Sequence, residues 1–485
     1  VTLIATVSGS PHSENDRTPE RGSNKGPVPG LQVLRVAAGA VGCNEMGARP
    51  HAATAAQPAT NAFIEHIAER GPDVVEDNGS KNGIKAIRFC PNLGQYEQYP
   101  GEIVASLAPD SNRTAGSRVI LGIETSCDET AAGVVAQSGA ILSSVVSSQL
   151  DIHRTYGGVV PELASREHLR NIVPVVREAL QSAGLGYPDL AAVAVTEGPG
   201  LAGALLVGIT YAKAIAFAAD IPLIGVNHLD GHIHAVLLDA LAEHRSIALP
   251  ALALIVSGGH THLFLAEGET ADAADTLRYR LLGRTRDDAI GEAYDKVAVT
   301  LGFGYPGGPV FDRLAAFGTP SKDPFTIPSM KGNPLDFSFS GYKTAALRWR
   351  NTHVQEAELE SRRALRERSP VPTIEEWLAV TPQPTLDLIA SFQKTAVDNI
   401  EANCRAALAQ TGARSLIISG GVACNSALRA RLTGRGFPVP AYFPSPQLST
   451  DNAVMIAAAA FPKLARGAVS GDSLAPQPAL RLDTA

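Results

Sequence analysis

Cysteine is scarce in this sequence, and the cysteines present do not form a recognisable site. The chain has five among 485 residues, widely spaced and without a Cys-x-x-Cys pair. An odd number of scattered cysteines argues against a disulfide framework, and the missing pair argues against a cysteine zinc site or a dithiol redox centre. We therefore expect a reducing compartment, the cytoplasm.

Long apolar runs are absent as well. No segment approaches the roughly 20 uninterrupted apolar residues that a helix needs to cross a bilayer. The nearest match to a signal peptide, residues 30–43, is interrupted by Arg35 and follows a polar stretch that does not resemble a signal-peptide start. We expect a soluble protein that is not exported and has no membrane partner.

An excess of positive charge is also missing. The sequence has 41 Lys and Arg against 48 Asp and Glu, a net charge of -7. Proteins that coat nucleic acid depend on many basic side chains to neutralise phosphates, so this class is excluded. A nucleic-acid partner would have to be held by a local surface, or with help from another protein.

The common nucleotide-binding motifs do not occur either. No glycine cluster is followed by the Gly-Lys-Ser/Thr of a P-loop, and none has the Gly-x-Gly-x-x-Gly pattern of a dinucleotide-binding βαβ unit with its acidic partner. Four other glycine turns occur, in Ser257–Thr261, around Gly420, and within residues 197–208 and 304–309. Each alone is most simply a tight turn, but together they favour a site for a phosphate or an adenylate, because glycine lets backbone N–H groups converge on an anion.

The character of the chain changes near residue 117. Residues 1–117 carry Pro, Gly, Asn and Ser throughout and lack sustained periodicity, so we expect a largely irregular N-terminal extension with one helical candidate at 60–70. A functional module and an over-extended gene start are the alternatives. From Arg118 onward, apolar runs, glycine turns and amphipathic segments alternate, which predicts an α/β fold.

The predicted elements suggest an internal duplication. The predicted strands are 118–124, 132–137, 141–148, 191–196, 222–226, 251–257 and a return strand ending at 266. The predicted helices are 161–183, 201–218, one opening near Asn227, 288–301, 309–317, 384–411, 424–433 and 451–465. Two stretches, from Val119 and from Leu252, each begin with a strand, a short polar turn and a returning strand. We therefore predict two similar lobes, 118–250 and 251–467, with a ligand cleft between them and a flexible tail at 468–485.

Two histidines could bind a metal ion. His228 and His232 are four residues apart, which places them on one helix face within reach of a single cation. Leu229 stands where a zinc protease of the His-Glu-x-x-His type has its glutamate, so that class is not indicated. Asp451, at the start of a predicted helix, would complete a His-His-Asp site. A pair of structural core histidines is the alternative.

Acidic residues form two further groups. Glu124, Asp128 and Glu129 lie in the first predicted turn, where carboxylates could orient a water molecule or accept a proton. Asp288, Glu292 and Asp295 share one helical face and could hold a ligand rich in hydroxyl groups. For both groups, solvated surface charge is the alternative.

The sequence resembles the TsaD family, the bacterial tRNA N6-adenosine threonylcarbamoyltransferases once described as O-sialoglycoprotein endopeptidases. The resemblance covers about residues 118–467 and rests on ten motifs in one order: "GIETSCDET", "YGGVVPELASREH", "GPGLAGALLVG", "NHLDGHIHA", "VSGGHTHL", "DDAIGEAYDKVA", "YPGGP", "FSFSGYKT", "SGGVACNSALR" and "STDNAVMIA". It implies a two-lobed actin-like ATPase (ASKHA) fold. The implied enzyme is an acyltransferase that moves threonylcarbamoyl from threonylcarbamoyl-adenylate to N6 of adenosine 37, releasing AMP, in tRNAs that read codons beginning with adenine.

The resemblance also implies site residues and partners. One divalent metal ion per subunit, with iron favoured and zinc possible, would be held by His228, His232 and Asp451. Glu129, or as second choice Asp128, is the expected catalytic base. The implied partners are tRNA, a TsaB-like paralogue and a TsaE-like ATPase. The substrate-binding residues carried over from the family are Ile255, Val256, Ser257, Gly258, Gly259, Asp295, Gly308, Asp312 and Asn425.

A charged stretch from Arg348 departs from the family pattern because it is longer than the usual connection. Its clustered arginines are Arg362, Arg363, Arg366 and Arg368. A solvated insertion is the favoured interpretation and a helix facing tRNA is the alternative. For the whole chain, a small-molecule kinase of the same fold and a glycoprotein protease remain the competing functions.

Overall fold

A computed structural model of the chain describes residues 104–105, 118–268, 277–321 and 323–483. The expected N-terminal extension and its helical candidate at 60–70 lie outside the described residues, apart from the short strand at 104–105. All described residues belong to one compact unit.

The described residues form strands and helices in alternation. The strands are β1 (Val104–Ala105), β2 (Val119–Glu124), β3 (Glu129–Ala136), β4 (Ile141–Ser148), β5 (Ala192–Gly198), β6 (Leu223–Asn227), β7 (Ala251–Val256), β8 (Thr261–Glu267), β9 (Arg278–Arg284), β10 (Ser415–Ser419) and β11 (Ala441–Tyr442). The helices are α1 (Leu150–Arg154), α2 (Pro161–Ala183), α3 (Ala202–Ala219), α4 (His228–Ala242), α5 (Ile290–Thr300), α6 (Gly308–Leu314), α7 (Ser340–His353), α8 (Glu356–Arg368), α9 (Ile374–Ala379), α10 (Gln383–Thr411), α11 (Ser426–Thr433), α12 (Pro446–Ser449) and α13 (Ala453–Ala465).

The strands form two sheets with the same internal order. The first sheet runs β1-β4-β3-β2-β5-β6 and the second runs β11-β10-β7-β8-β9. Apart from the edge strand β1, the two sheets share one topology. In each sheet the first three strands, in chain order, form an antiparallel meander. The fourth strand pairs in parallel with the first, and the fifth pairs in parallel with the fourth. This repeated topology confirms the two similar lobes and the actin-like α/β fold.

Each lobe is built around a central strand that is buried on both faces. Every residue of β2 and of β7 is buried. The sequence of β7 is a continuous apolar run, and that of β2 is apolar up to Glu124 at its end, because helices cover both faces of a sheet at its parallel strands. In the first lobe, α13 packs across β2 and β3 and also contacts α4. Small alanine side chains on α13 allow this close approach to the sheet.

Several elements differ from the prediction. β3 begins at Glu129 rather than at 132, so this carboxylate starts a strand instead of lying within a turn. The predicted helix 309–317 ends at Leu314 and continues as a 3-10 turn. Strand β9 was not predicted. It lies at the edge of the second sheet beside β8, and its sequence "RYRLLGR" carries three arginines, so it has no apolar run that would indicate a strand.

The C-terminal segment is packed, so the prediction of a flexible tail is wrong for residues 468–483. The Ser470 N–H donates to the carbonyl of Leu223 at 2.7 Å. Leu474 joins the hydrophobic core of the first lobe, and Leu482 joins the cluster around Leu229 and Ile233. The segment has no helical or strand periodicity, so its leucines gave no signal of burial in the sequence.

The charged stretch from Arg348 forms α7, α8 and α9, and one of its clustered arginines is buried. Arg362 has no exposed surface. Its guanidinium donates to the carbonyl of Leu301 at 2.9 Å and pairs with Glu358 at 2.9 Å. The interpretation as a wholly solvated insertion is therefore wrong at Arg362, and the four arginines do not share one surface.

Helix α3 is the described helix that is long and apolar enough to cross a bilayer by composition. It packs against α2 and β5. Leu205, Ile209 and Ala212 on its inner face belong to the core of the first lobe. In this fold it is a core helix.

Candidate metal and adenylate site

The two histidines and the aspartate of the predicted metal site come together at helix starts. α4 begins directly after β6, and Asn227 caps it by accepting the Leu229 N–H at 2.9 Å. This cap fixes His228 as the first helical residue and His232 one turn later. Asn452 likewise caps α13 by accepting the Met455 N–H at 2.9 Å, which holds Asp451 just before that helix.

The geometry of the three residues fits a metal ion. Oδ1 of Asp451 lies 3.2 Å from Nε2 of His232 and 3.7 Å from Nε2 of His228, and the three ligand atoms lie within 4.8 Å of one another. Nε2 of His232 is buried and makes no hydrogen bond of normal geometry within the described residues. A buried nitrogen without a well-formed hydrogen bond is costly unless another group binds it. Two imidazoles and one carboxylate suit iron or zinc.

Charge in the site favours a cation. Burial by itself would lower the pKa of His228, but the nearby carboxylates of Asp451 and Glu124 raise it to about 9. Burial would also raise the pKa of Asp451, yet the neighbouring histidines hold it well below its usual range. The buried carboxylates thus favour a positive charge at this position, which a divalent ion would supply.

The acidic turn of the first lobe adjoins the histidines. Glu124 is fully buried at the end of β2, so the alternative of a solvated charge is wrong for this residue. Glu129 begins β3 and accepts a hydrogen bond from Ser148 at 3.2 Å. Burial, followed by the charges of Asp128 and Asp451, raises the pKa of Glu129 well above its usual range. The role of Glu129 or Asp128 as a base stays a prediction.

Two glycine turns of the second lobe meet beside the site. A Cβ built on Gly420, whose φ is +97°, would lie 2.4 Å from the carbonyl oxygen of Val256, so the two turns are in backbone contact. A Cβ on Gly258 or Gly259 would meet nothing within 4 Å in the part of the chain that the structure describes. This open backbone could approach an anion closely. Ile255 and Val256 are fully buried in β7, so their side chains are not available to a ligand.

Three of the remaining predicted substrate residues, Asp295, Asp312 and Asn425, make hydrogen bonds within the protein. Asp295 accepts the Gly307 N–H at 2.7 Å, beside Gly308, and burial raises its pKa to about 6. Asp312 accepts the backbone N–H of Ser426 at 3.1 Å and its hydroxyl at 2.8 Å. The Asn425 side chain caps α11 and donates to Gln393 at 2.9 Å. Substrate binding by these residues stays a prediction.

Two sequence-based groupings are not maintained. Lys296 pairs with Asp288 at 2.6 Å and with Glu292 at 3.0 Å, so these carboxylates do not form a common grip with Asp295. The glycine turn after β5 packs on the acidic turn instead of facing an anion, because the Leu201 N–H donates to the carbonyl of Ser126 at 2.8 Å.

Three residues near the site were not assigned a role from the sequence. The ring of His260 lies 5.9 Å from that of His228. Burial raises the pKa of Tyr305, and the nearby charges of Asp128 and Asp295 raise it further. His168 holds the acidic turn through the Cys127 carbonyl at 3.0 Å. All three lie inside the quoted motifs, but motif membership alone does not indicate what a side chain contacts.

Comparisons with known proteins agree with the motifs. The family model described as TsaD, tRNA N6-adenosine threonylcarbamoyltransferase, matches residues 140–458. A protein of that name from Koribacter versatilis is 53% identical over 380 residues, covering 75% of this chain and 99% of its own. One from Trichlorobacter lovleyi is 47% identical over 351 residues, covering 72% and 92%.

Solved structures show weaker similarity. YeaZ from Pseudomonas aeruginosa is 18% identical with a TM-score of 0.24, covering 34% of this chain and 66% of its own. The ROK hexokinase from Thermus thermophilus is 15% identical with a TM-score of 0.34, covering 72% and 100%. The matches to the family model and to its curated members, over most of the described chain, establish that the chain belongs to the TsaD family of tRNA N6-adenosine threonylcarbamoyltransferases.

Proposed function

We propose that this chain transfers threonylcarbamoyl from threonylcarbamoyl-adenylate to N6 of adenosine 37 in tRNAs that read codons beginning with adenine, with release of AMP. Besides family membership, one observation supports this reaction. The His228, His232 and Asp451 group lies where the two lobes meet: Glu124 of the first lobe contacts His228, and Ser419 of the second lies 3.5 Å from His232. A ligand in the cleft would therefore reach both lobes.

The group of His228, His232 and Asp451 would hold one divalent ion, iron or zinc. When bound, such an ion supplies positive charge that stabilises negative charge developing on the acyl and phosphate oxygens. The chain itself supplies the anion contacts. The open backbone of Ser257–Gly259, next to the Gly420 turn, suits the adenylate phosphate, since N–H groups on glycine can approach it without a Cβ.

Proton transfer falls to the acidic turn in this proposal. Adenine N6 is a poor nucleophile because its lone pair is delocalised into the ring, so a proton has to leave it during or after attack. Burial and the charges of Asp128 and Asp451 raise the pKa of Glu129, which makes this carboxylate a stronger proton acceptor. Asp128 is the second choice. Asp295 would accept a hydrogen bond from a ribose or threonyl hydroxyl.

Partners complete the proposed reaction. A net charge of -7 gives little bulk attraction for tRNA phosphates, so a TsaB-like paralogue and a TsaE-like ATPase would contribute surface. The first lobe exposes large apolar side chains on its packed helices α2 and α3: Leu169 is 65% exposed, Leu206 53% and Phe217 84%. Leu206 and Phe217 lie on one face, about three turns apart. We propose that the TsaB-like partner docks on this apolar face and that the protein acts in the cytoplasm.

Reconstitution tests the proposal. The protein, its two partners, threonine, bicarbonate, ATP and unmodified tRNA are incubated, together with the enzyme that makes the adenylate, and the tRNA nucleosides are analysed by mass spectrometry. We expect threonylcarbamoyl-adenosine with wild-type protein and none with His228→Ala. The proposal would be rejected in favour of a small-molecule kinase if the protein formed no modified adenosine under conditions where a known family member does, and phosphorylated a sugar instead.

A further inference from the structure

Three hydrogen-bond donors converge on the buried carboxylate of Glu124. Oε1 accepts the Ser126 N–H at 2.5 Å. Oε2 accepts the Thr196 hydroxyl at 2.6 Å and lies 3.0 Å from Nδ1 of His228. Glu124 and His228 are far apart in the chain, and both are buried. A carboxylate held in this way has its position set by strands β2 and β5 and not by solvent.

This contact determines which nitrogen of His228 carries the proton. An ionised carboxylate only accepts hydrogen bonds, so Nδ1 must be the donor. In the neutral ring, the form that can bind a metal ion, Nε2 then keeps its lone pair, and this nitrogen faces Asp451 at 3.7 Å. The Ser126 hydroxyl also lies 3.3 Å from Nδ1. A neutral hydroxyl competes poorly with a carboxylate for that proton, because hydrogen bonds to charged groups are the stronger ones.

We propose that Glu124 is a positioning residue that holds His228 in the tautomer able to bind a metal ion through Nε2. Histidine ligands usually donate their second nitrogen to a carboxylate or a carbonyl, which fixes the ring and raises its basicity. Within the described residues His232 lacks such a partner, since its Nδ1 meets only the Ser419 hydroxyl, at 3.5 Å. The inference rests on the proposed metal-holding role of His228.

The same carboxylate links the metal ligand to the acidic turn. Its second oxygen holds the backbone of Ser126, which opens the turn that leads to Asp128 and Glu129. A displacement of Glu124 would therefore reach both groups. This makes metal affinity, rather than activity alone, the informative measurement.

Glu124→Gln is the central variant, because it keeps the shape and removes one acceptor. If the amide oxygen faces His228, the NH2 group meets the Ser126 N–H, and two donors oppose each other. If the oxygen faces Ser126, the NH2 group forces Nδ1 of His228 to accept and places the proton on Nε2. Loss of such a partner typically lowers metal affinity about 10-fold to 100-fold.

The test measures the Zn²⁺ dissociation constant by competition with a chelator of known affinity, on the full chain. We expect it to rise about 10-fold to 100-fold in Glu124→Gln. Glu197→Gln is the matched control, since this carboxylate lies on the same β5 strand as Thr196 but is near Lys463 and Gln477. We expect that control to keep the wild-type value.

A second measurement keeps the inference testable if Glu124→Gln does not fold. The ¹⁵N chemical shifts of the His228 ring in metal-free wild-type protein, recorded above its pKa of about 9 so that the ring carries one proton, report where that proton lies, and we expect it on Nδ1. A proton on Nε2 alone, or a folded Glu124→Gln variant with wild-type Zn²⁺ affinity, would overturn the role of Glu124 and leave the transfer reaction untouched. Wild-type protein that binds no Zn²⁺ or Fe²⁺ would overturn this inference and the proposed metal site together.

Discussion

Gly122 and Ala453 bring the backbones of strand β2 and helix α13 into direct contact. A Cβ built on Gly122 would lie 2.1 Å from the carbonyl oxygen of Ala453. Glu124 follows Gly122 by two residues, and Asp451 precedes Ala453 by two. The absence of a side chain at Gly122 therefore sets how closely the buried glutamate and the candidate metal ligand approach each other.

Gly122→Ala should push α13 away from the sheet. Overpacking of this kind costs about 1–3 kcal/mol of unfolding free energy, and we expect weaker metal binding because Asp451 moves with the helix. Urea unfolding and Zn²⁺ titration measure the two effects. Gly341→Ala is the control, because a Cβ there meets nothing within 4 Å in the described chain. Equal stability and affinity in Gly122→Ala and wild type would show that the contact is unimportant.

Asp451→Ala should remove metal-dependent stability. A ligand that binds only the folded state at about 100 times its dissociation constant adds about 2.7 kcal/mol. Thermal unfolding with and without Zn²⁺ should show a rise in Tm for wild type and for the exposed control Asp472→Ala, and none for Asp451→Ala. An undiminished rise in Asp451→Ala would remove this residue from the site.

Asp295 should make stability depend on pH in a defined direction. Burial raises its pKa from 3.8 to about 6, so its contribution to stability is fully present below 3.8 and is lost as the pH rises through 6. The rise corresponds to about 3 kcal/mol. Asp295→Asn cannot ionise, so its stability relative to wild type should increase between pH 4 and pH 7. Urea unfolding across this range measures the difference, and a constant or decreasing difference would contradict the buried environment of Asp295.

Arg362 should be far more important to stability than its neighbour Arg363. Loss of a buried donor costs about 1–3 kcal/mol for each buried acceptor left unsatisfied, whereas the partly exposed Glu358 can regain water. Arg362→Ala would leave Glu358 and the Leu301 carbonyl without their donor. Arg363 is exposed, and Arg363→Ala should stay within about 0.5 kcal/mol of wild type. Similar unfolding free energies for the two variants would argue against the burial of Arg362.

His168 should affect turnover without affecting metal affinity. Its Nε2 donates to the Cys127 carbonyl at 3.0 Å and its Nδ1 accepts the Thr130 hydroxyl at 2.8 Å, so it anchors both sides of the acidic turn. A displacement of about 1 Å in a catalytic group can cost about 100-fold in rate. We expect His168→Ala to lower kcat by about 10-fold to 100-fold while Zn²⁺ affinity is kept, with the exposed Arg170→Ala as control. A loss of metal affinity would instead place His168 in support of the metal ligands.

Much of the fold could be predicted from local patterns. β7, and β2 up to Glu124, are apolar runs because they are buried on both faces, and their similar openings predicted two lobes. Strand β9 was not predicted, and the C-terminal segment was wrongly predicted to be flexible, because neither contains a continuous apolar run. β9 is an edge strand with arginines, and Leu474 and Leu482 are isolated apolar residues in a stretch without periodicity.

The site divides in the same way. Spacing alone placed His228 and His232 on one helix face, and a carboxylate at the start of a predicted helix indicated Asp451, in agreement with the family motifs. The sequence could not indicate that Glu124 lies behind His228, that Lys296 pairs with Asp288 and Glu292, or that Ile255 and Val256 are enclosed by their sheet. Periodicity indicates which face of a single helix or strand is apolar and which is polar. Which distant side chain meets that surface depends on how closely two elements pack, and contacts such as that between Gly122 and Ala453 exist only in the folded chain.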